Sequence, residues 1–235
     1  MSKNLSFKEF ISDKKDKSTY SDDEVLNETP MVKSGDYKPD DVKGGSFYIS
    51  DKALERSYDK IGEMKRDDLT VSFHLSKKTY DKVIRATIPG IDQNGEEKNE
   101  IIFRVFFKDK NNFVKYPESW KGQEDKVLQV SSAYINEKYK DLGIASKAYQ
   151  FLVDKGYIVV SDCIQYKDGQ ELWRKLSRQS GKDYKVFIVD STSGEILCDE
   201  NGNAIEYNSK NLIDDKIWSM EPDRKSITTL LFMNK

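Results

Sequence analysis

The chain has 235 residues, 37% of them apolar and 34% charged, with a formal charge of −2, a single histidine and two cysteines. No apolar run approaches the ~18 residues of a membrane-spanning helix, and "MSKNLSFKEFISDKKDK" lacks the apolar core of a secretory leader, so the expected location is the cytoplasm, without a membrane partner. A charge this close to neutral argues against wholesale capture by nucleic acid and leaves a local basic patch open.

The length suits one domain with an extension, or two small domains. With His74 alone, a multi-histidine metal site is ruled out and Ser-His-Asp or Cys-His chemistry is disfavoured. Cys163 and Cys198 have no zinc-like spacing and read as core thiols. No metal is expected. Neither of the familiar glycine-rich nucleotide loops is present.

Residues 1–46 are poor in aliphatic side chains, rich in Lys, Asp and Ser, and interrupted by Pro30 and Pro39, which reads as a flexible arm ahead of a domain at 47–235. Within the arm, Leu5, Phe7, Phe10 and Ile11 suit one amphipathic turn that folds against a protein partner. Behind Ser50 and Asp51 as a cap, Leu54, Tyr58, Ile61 and Met64 predict one amphipathic helix. Three β-rich runs follow, at 69–75, 82–88 and 99–107, with "IPGIDQNGEEK" as a long hairpin loop between the second and third. His74, within the first run, reads as a satisfied structural histidine. A fourth strand is expected at 125–135, after the break at Pro117 and Gly122.

Next comes a helix from about Ile144 to Lys155, whose Ala145, Ala148, Tyr149 and Leu152 share one face and whose stop is Gly156. "YIVVSD" is then a short strand buried on both faces. Strand, tight loop, helix and strand form a βαβ unit, expected to cross over right-handed between parallel strands. A second helix, "DGQELWRKLSRQ", is expected to turn Leu172 and Leu176 inward and stop at Gly181. Strands at 185–190 and 227–233 flank a "STSGEILCDENGNAIEY" hairpin. The predicted fold is therefore α/β, a mixed sheet with one βαβ crossover and an N-terminal extension.

The tight loop, Lys140 to Ala145, puts a glycine and an alanine at a helix start immediately after a strand. The first N–H groups of a helix have no internal partners and carry the positive end of the helix dipole, so such a spot suits phosphate. Gly143 permits close backbone approach, Ala145 keeps the space clear, and Lys140 adds a charge.

This segment resembles the acyl-CoA pyrophosphate loop of the GNAT superfamily of N-acetyltransferases, in which Gln or Arg is followed after two residues by glycine, and after one more by glycine or alanine. Here it stands as K-D-L-G-I-A, with Lys140 in place of Arg or Gln. The order of elements over roughly 65–235 resembles the same family. "YIVVSDCIQYKDGQELWRKLS" is similar to acetyltransferase-like proteins of tailed phages, and "FKEFI" looks like the capsid-targeting leaders of phage internal head proteins.

The resemblance implies an acetyl-CoA co-substrate. Its pyrophosphate would lie on Lys140, Leu142, Gly143, Ile144, Ala145 and Ser146, and its pantetheine arm along Val130, Ser131 and Ser132, where strands 127–134 and 157–162 splay apart. It also implies transfer of acetyl to an amine of a protein, small molecule or nucleobase, with a general acid returning a proton to the departing thiolate. Many members use a tyrosine in the helix after the fifth strand, but this chain has Trp173 there, and an indole cannot serve. Tyr166 or Tyr149 would then be the acid, or the thiolate leaves unassisted, or the domain binds CoA without turnover. Asp162 is the candidate base. The alternative function is a non-catalytic accessory or virion protein that keeps the GNAT-like fold, in the host cytoplasm or in a phage particle.

Overall fold

A computed structural model describes residues 31–33, 48–79, 82–108, 124–162, 164–179, 184–190, 195–199, 201–207 and 228–234. In chain order its elements are β1 (Met31–Lys33), β2 (Tyr48–Ile49), α1 (Asp51–Ser57), β3 (Tyr58–Arg66), β4 (Leu69–Ser76), β5 (Val83–Ile91) and β6 (Glu97–Phe107), then β7 (Val127–Ile135), α2 (Ile144–Asp154), β8 (Ile158–Val160), β9 (Ile164–Tyr166), α3 (Lys167–Gln179), β10 (Tyr184–Asp190) and β11 (Thr228–Asn234). These divide between two compact units, the first from Tyr37–Asn112 and Leu128–Tyr157, the second from Met1–Asp36, Phe113–Val127 and Ile158–Lys235. The chain is mixed α/β, as its sequence predicts. None of its described helices is long and apolar enough to cross a membrane.

In the first unit β3, β4, β5, β6 and β7 pair antiparallel in sequence order, and β2 adds to β6. The alternation of β4 decides its faces. Val71, Phe73 and Leu75 are buried towards one side, where the Phe73 ring meets that of Phe151 in α2 with centroids 5.1 Å apart. Gly62 of β3 lies under the same ring, which occupies the space a Cβ would need. The helix thus rests on a strand that has no side chain at the point of contact.

One predicted helix is corrected. Ser50 does cap a helix, its hydroxyl accepting from the Ala53 N–H at 3.3 Å, but that helix ends at Ser57, and Tyr58, Ile61 and Met64 belong to β3. Pairing with β4 replaces the helical bonds, and a bulge between Lys60 and Gly62 throws the strand out of simple alternation. The predicted long hairpin loop is also shorter than expected. β5 and β6 run on to Ile91 and from Glu97, because Asp92 organises the turn: its carboxylate accepts from the N–H groups of Asn94 and Glu96 at 2.8 and 3.0 Å and from Lys98 Nζ at 2.6 Å. Those bonds, the lysine's first, hold the Asp92 carboxyl below its ordinary pKa.

His74 lies on the face of β4 turned away from α2. It is 9% exposed, with Nε2 3.2 Å from Thr87 Oγ1. Burial, and after it the charge of Lys60, lowers its pKa. As pH falls through the ordinary histidine value near 6.5 the unfolded chain takes up a proton that the folded chain resists, so stability must fall in that direction. Urea unfolding between pH 7 and 5 should therefore give a declining stability, with a slope of at most ~1.4 kcal/mol per pH unit. His74→Gln, which retains a polar partner for Thr87, should flatten it; an equal slope in the variant would assign the effect elsewhere.

In the second unit β11 pairs antiparallel with both β10 and β8, and β1 pairs parallel with β9. Met31–Lys33, inside the segment read as an arm, is therefore a strand, in register with Ile164–Tyr166. Val127, Ile158, Val160 and Val189 form a core cluster against which Phe187 and Ile196 pack. Helix α3 packs on β1, β9 and β10. Its buried face is Gln170, Trp173, Leu176 and Ser177, whereas Leu172 is only half-buried, so the inward stripe is rotated from the expected one to centre on the largest apolar side chain. Leu5, Phe7, Phe10, Ile11, Pro117, Gly122, Cys163 and Gly181 lie outside the described residues.

Candidate functional site

The loop between β7 and α2 is tied down from both sides. Asn136 donates its backbone N–H to the carbonyl of Ile102 at 2.9 Å, and its side-chain oxygen accepts from the Lys138 N–H at 3.0 Å, opening a single helical turn over Glu137–Tyr139. Asn136 Nδ2 and the Tyr139 hydroxyl both donate to the Glu100 carboxylate, each at 3.4 Å. The chain then reverses through two left-handed residues, Asp141 at φ 67° and Gly143 at φ 80°. Aspartate tolerates that region better than most side chains and glycine enters it freely.

Gly143 is the N-cap of α2, and no side chain caps the terminus. The first intrahelical bond runs from the Lys147 N–H to the Gly143 carbonyl at 3.0 Å. No acidic residue stands in the first turn. Ile144 and Ser146 are buried, at 0% and 5% exposure, so both contribute backbone alone to the open end. Ala145 is half-buried. The buried stripe behind them, Ala148, Tyr149, Leu152 and Val153, holds the helix on the sheet. Tyr149 is 1% exposed and part of that packing.

Three cations accompany the loop, and Lys138 among them has its Nζ 5.1 Å from the centroid of the Tyr139 ring. Lys140 Nζ is 3.7 Å from the exposed Glu137 carboxylate. Arg66, at the end of β3, donates from Nη1 to the carbonyl of Leu142 at 3.0 Å. Sequence reasoning missed Arg66. The two residues are 76 apart along the chain, and no periodicity reports a contact made by strand pairing.

β7 carries a second feature. Phe106 pairs with Ser132 and Phe107 with Val130, so Ser131 is an extra residue facing no partner on β6. A bulge of this kind bends a strand and breaks its ladder locally. It falls within the three residues expected to meet the pantetheine arm: Val130 is 5% exposed, Ser131 exposed and Ser132 half-buried.

All the predicted binding residues thus belong to the first unit, on β7, the β7–α2 loop and the first turn of α2. The two predicted catalytic residues belong to the second. Tyr166 ends β9, paired in register with Lys33, and a half-buried Asp162 follows β8. Trp173, at the position that resembles the family's tyrosine, is a core residue with 1% exposure. No family model matches the chain, and no curated protein or solved structure matches it.

Proposed function

We propose that the chain is an acyl-CoA-binding protein of the GNAT type, acting as an N-acetyltransferase on an amine acceptor. The reading is carried by one observation: Gly143 stands in the left-handed region as an uncapped N-cap, at the head of a helix joined to a bulged strand by the loop that holds the Glu137–Tyr139 turn. The residues present fit a pyrophosphate. A glycine leaves the backbone open, the first turn lacks carboxylates, and Arg66 and Lys140 bring positive charge to the same loop. The bulge at Ser131 frees backbone polar groups for an extended pantetheine arm to bond as a strand would. In the transfer itself the amine nitrogen bonds to the thioester carbonyl carbon, the C–S bond breaks, and the amine's proton is returned to the thiolate; Asp162 and Tyr166 are the candidates for accepting and donating it.

Trp173 favours a second reading, in which the protein binds CoA as an accessory or structural component without turnover, since the N–H of a buried indole is far too weak an acid to protonate a thiolate. Two measurements on the full chain separate these. Millimolar acetyl-CoA should raise the melting temperature, a ligand at 100 times its Kd contributing about 2.7 kcal/mol; the absence of any shift removes both readings. Release of free CoA thiol in the presence of a panel of amines supports the enzyme, and binding without release supports the accessory protein.

A further inference from the structure

Among the described residues β3 ends its sheet, paired with β4 on one side only. Such an edge presents backbone N–H and C=O groups to another strand. The ladder decides which residues supply them. The Lys77 N–H donates to the Ser57 carbonyl at 2.9 Å, so alternation turns the backbone of Asp59 to β4 and that of Tyr58 and Lys60 to the open side. At the far end the two-residue turn at Asp67 and Asp68 closes on the pair of Arg66 with Leu69, and counting back leaves Glu63 and Lys65 open. The bulge between Lys60 and Gly62 inserts one residue between these two sets. A regular strand cannot keep step with an edge of that kind, which is how bulges commonly blunt edges. A second copy can, because it carries the same extra residue at the same place.

The side chains agree with that pairing. Set antiparallel to itself about the bulge, the strand puts Lys60 opposite the partner's Glu63 and Tyr58 opposite the partner's Lys65, and the two-fold axis repeats both pairs. Every open backbone group then meets an open one. Opposite charges facing each other across antiparallel strands are favourable, and a lysine stem packs on a tyrosine. Neighbouring registers fail: a shift by one residue sets open groups against engaged ones, and a shift by two in one direction sets Lys60 opposite the partner's Lys65. Lys60 Nζ and Glu63 bond each other within the chain at 2.8 Å, with side chains 52% and 38% exposed. Both are therefore within reach of a partner, and exchanging one exposed ion pair for another costs little.

We propose that the open edge of β3 docks a second copy of this chain, in an antiparallel two-fold pairing where Lys60 of each copy meets the partner's Glu63. The shared bulge makes the edge selective for its own kind. The pairing stands whether or not the Gly143 loop binds CoA.

The test is sedimentation velocity of the full chain from micromolar to millimolar concentration, over which the parent should pass from one chain to two. Lys60→Glu sets glutamates opposite each other at both symmetry-related pairs, and Glu63→Lys does the same with lysines. Each variant alone should associate about tenfold more weakly than the parent. An equimolar mixture of the two should recover the association, because each supplies the charge the other lacks, and the double variant carrying both substitutions should associate like the parent. A parent that remains a single chain throughout overturns the proposal. So do single variants that associate like the parent, and a mixture that associates no better than its components. Should either single variant not fold, a double variant that remains a single chain overturns it equally.

Discussion

Gly143→Glu should weaken acetyl-CoA binding by about three orders of magnitude. Two costs arise at once. A carboxylate at the N-cap of α2 occupies the region a pyrophosphate would take and repels it, by roughly 4 kcal/mol for a charge pair ~4 Å apart at an effective dielectric of 20, which corresponds to about a thousandfold in Kd. The backbone at φ 80° adds a strain of ~1 kcal/mol or more for any residue with a Cβ. Gly143→Ala separates them, because it shares the strain without the charge. Calorimetric titration of both variants, with urea unfolding measured alongside, should find similar losses of stability and a much larger loss of affinity in the glutamate variant. Parental affinity in a folded Gly143→Glu protein would leave the helix start as a packing feature only.

The second large effect is expected at Trp173, whose side chain is the largest among the fully buried ones of the described residues. Trp173→Ala should lower the unfolding free energy by ~3–5 kcal/mol, and Trp173→Phe by distinctly less, because a ring of smaller volume still fills most of the space. Circular dichroism across a urea titration is the suitable probe, since removing an indole alters fluorescence by itself. An unchanged midpoint in the alanine variant would mean that the residue is not a core element.

How far the sequence can be read depends on where its signals arise. Helix α2 was legible because its start and stop are both local: Gly143 before it, Gly156 after it, and an apolar stripe between. The strands β4, β5 and β6 were legible because they are short runs rich in β-branched and aromatic residues, most of them buried, bounded by polar turns. β3 was not. Its residues are mostly exposed, it pairs with β4 and carries a bulge, and its few apolar side chains fall by chance at helical spacing. The candidate site divides in the same way. The glycine and alanine of the loop are visible in a string of letters, whereas the contact of Arg66 with the loop and the extra Ser131 of the bulge exist only once the strands are assembled. Register is a property of the assembled sheet, and no window of a dozen residues contains it.

The interleaving of the two units has a consequence for a chain made from one end to the other. Every strand and helix of the first unit lies between Tyr37 and Tyr157, so that unit can close while later residues are still being added. The second unit has to wait. Its β8 and β10 are both partnered by β11, at Thr228–Asn234, and until that segment arrives each presents an unmet row of N–H and C=O groups to its surroundings. Assembly of this protein thus sets the late arrival of its own central strand against capture of those edges by a neighbouring nascent chain, which gives factors that shield them during synthesis a place to act.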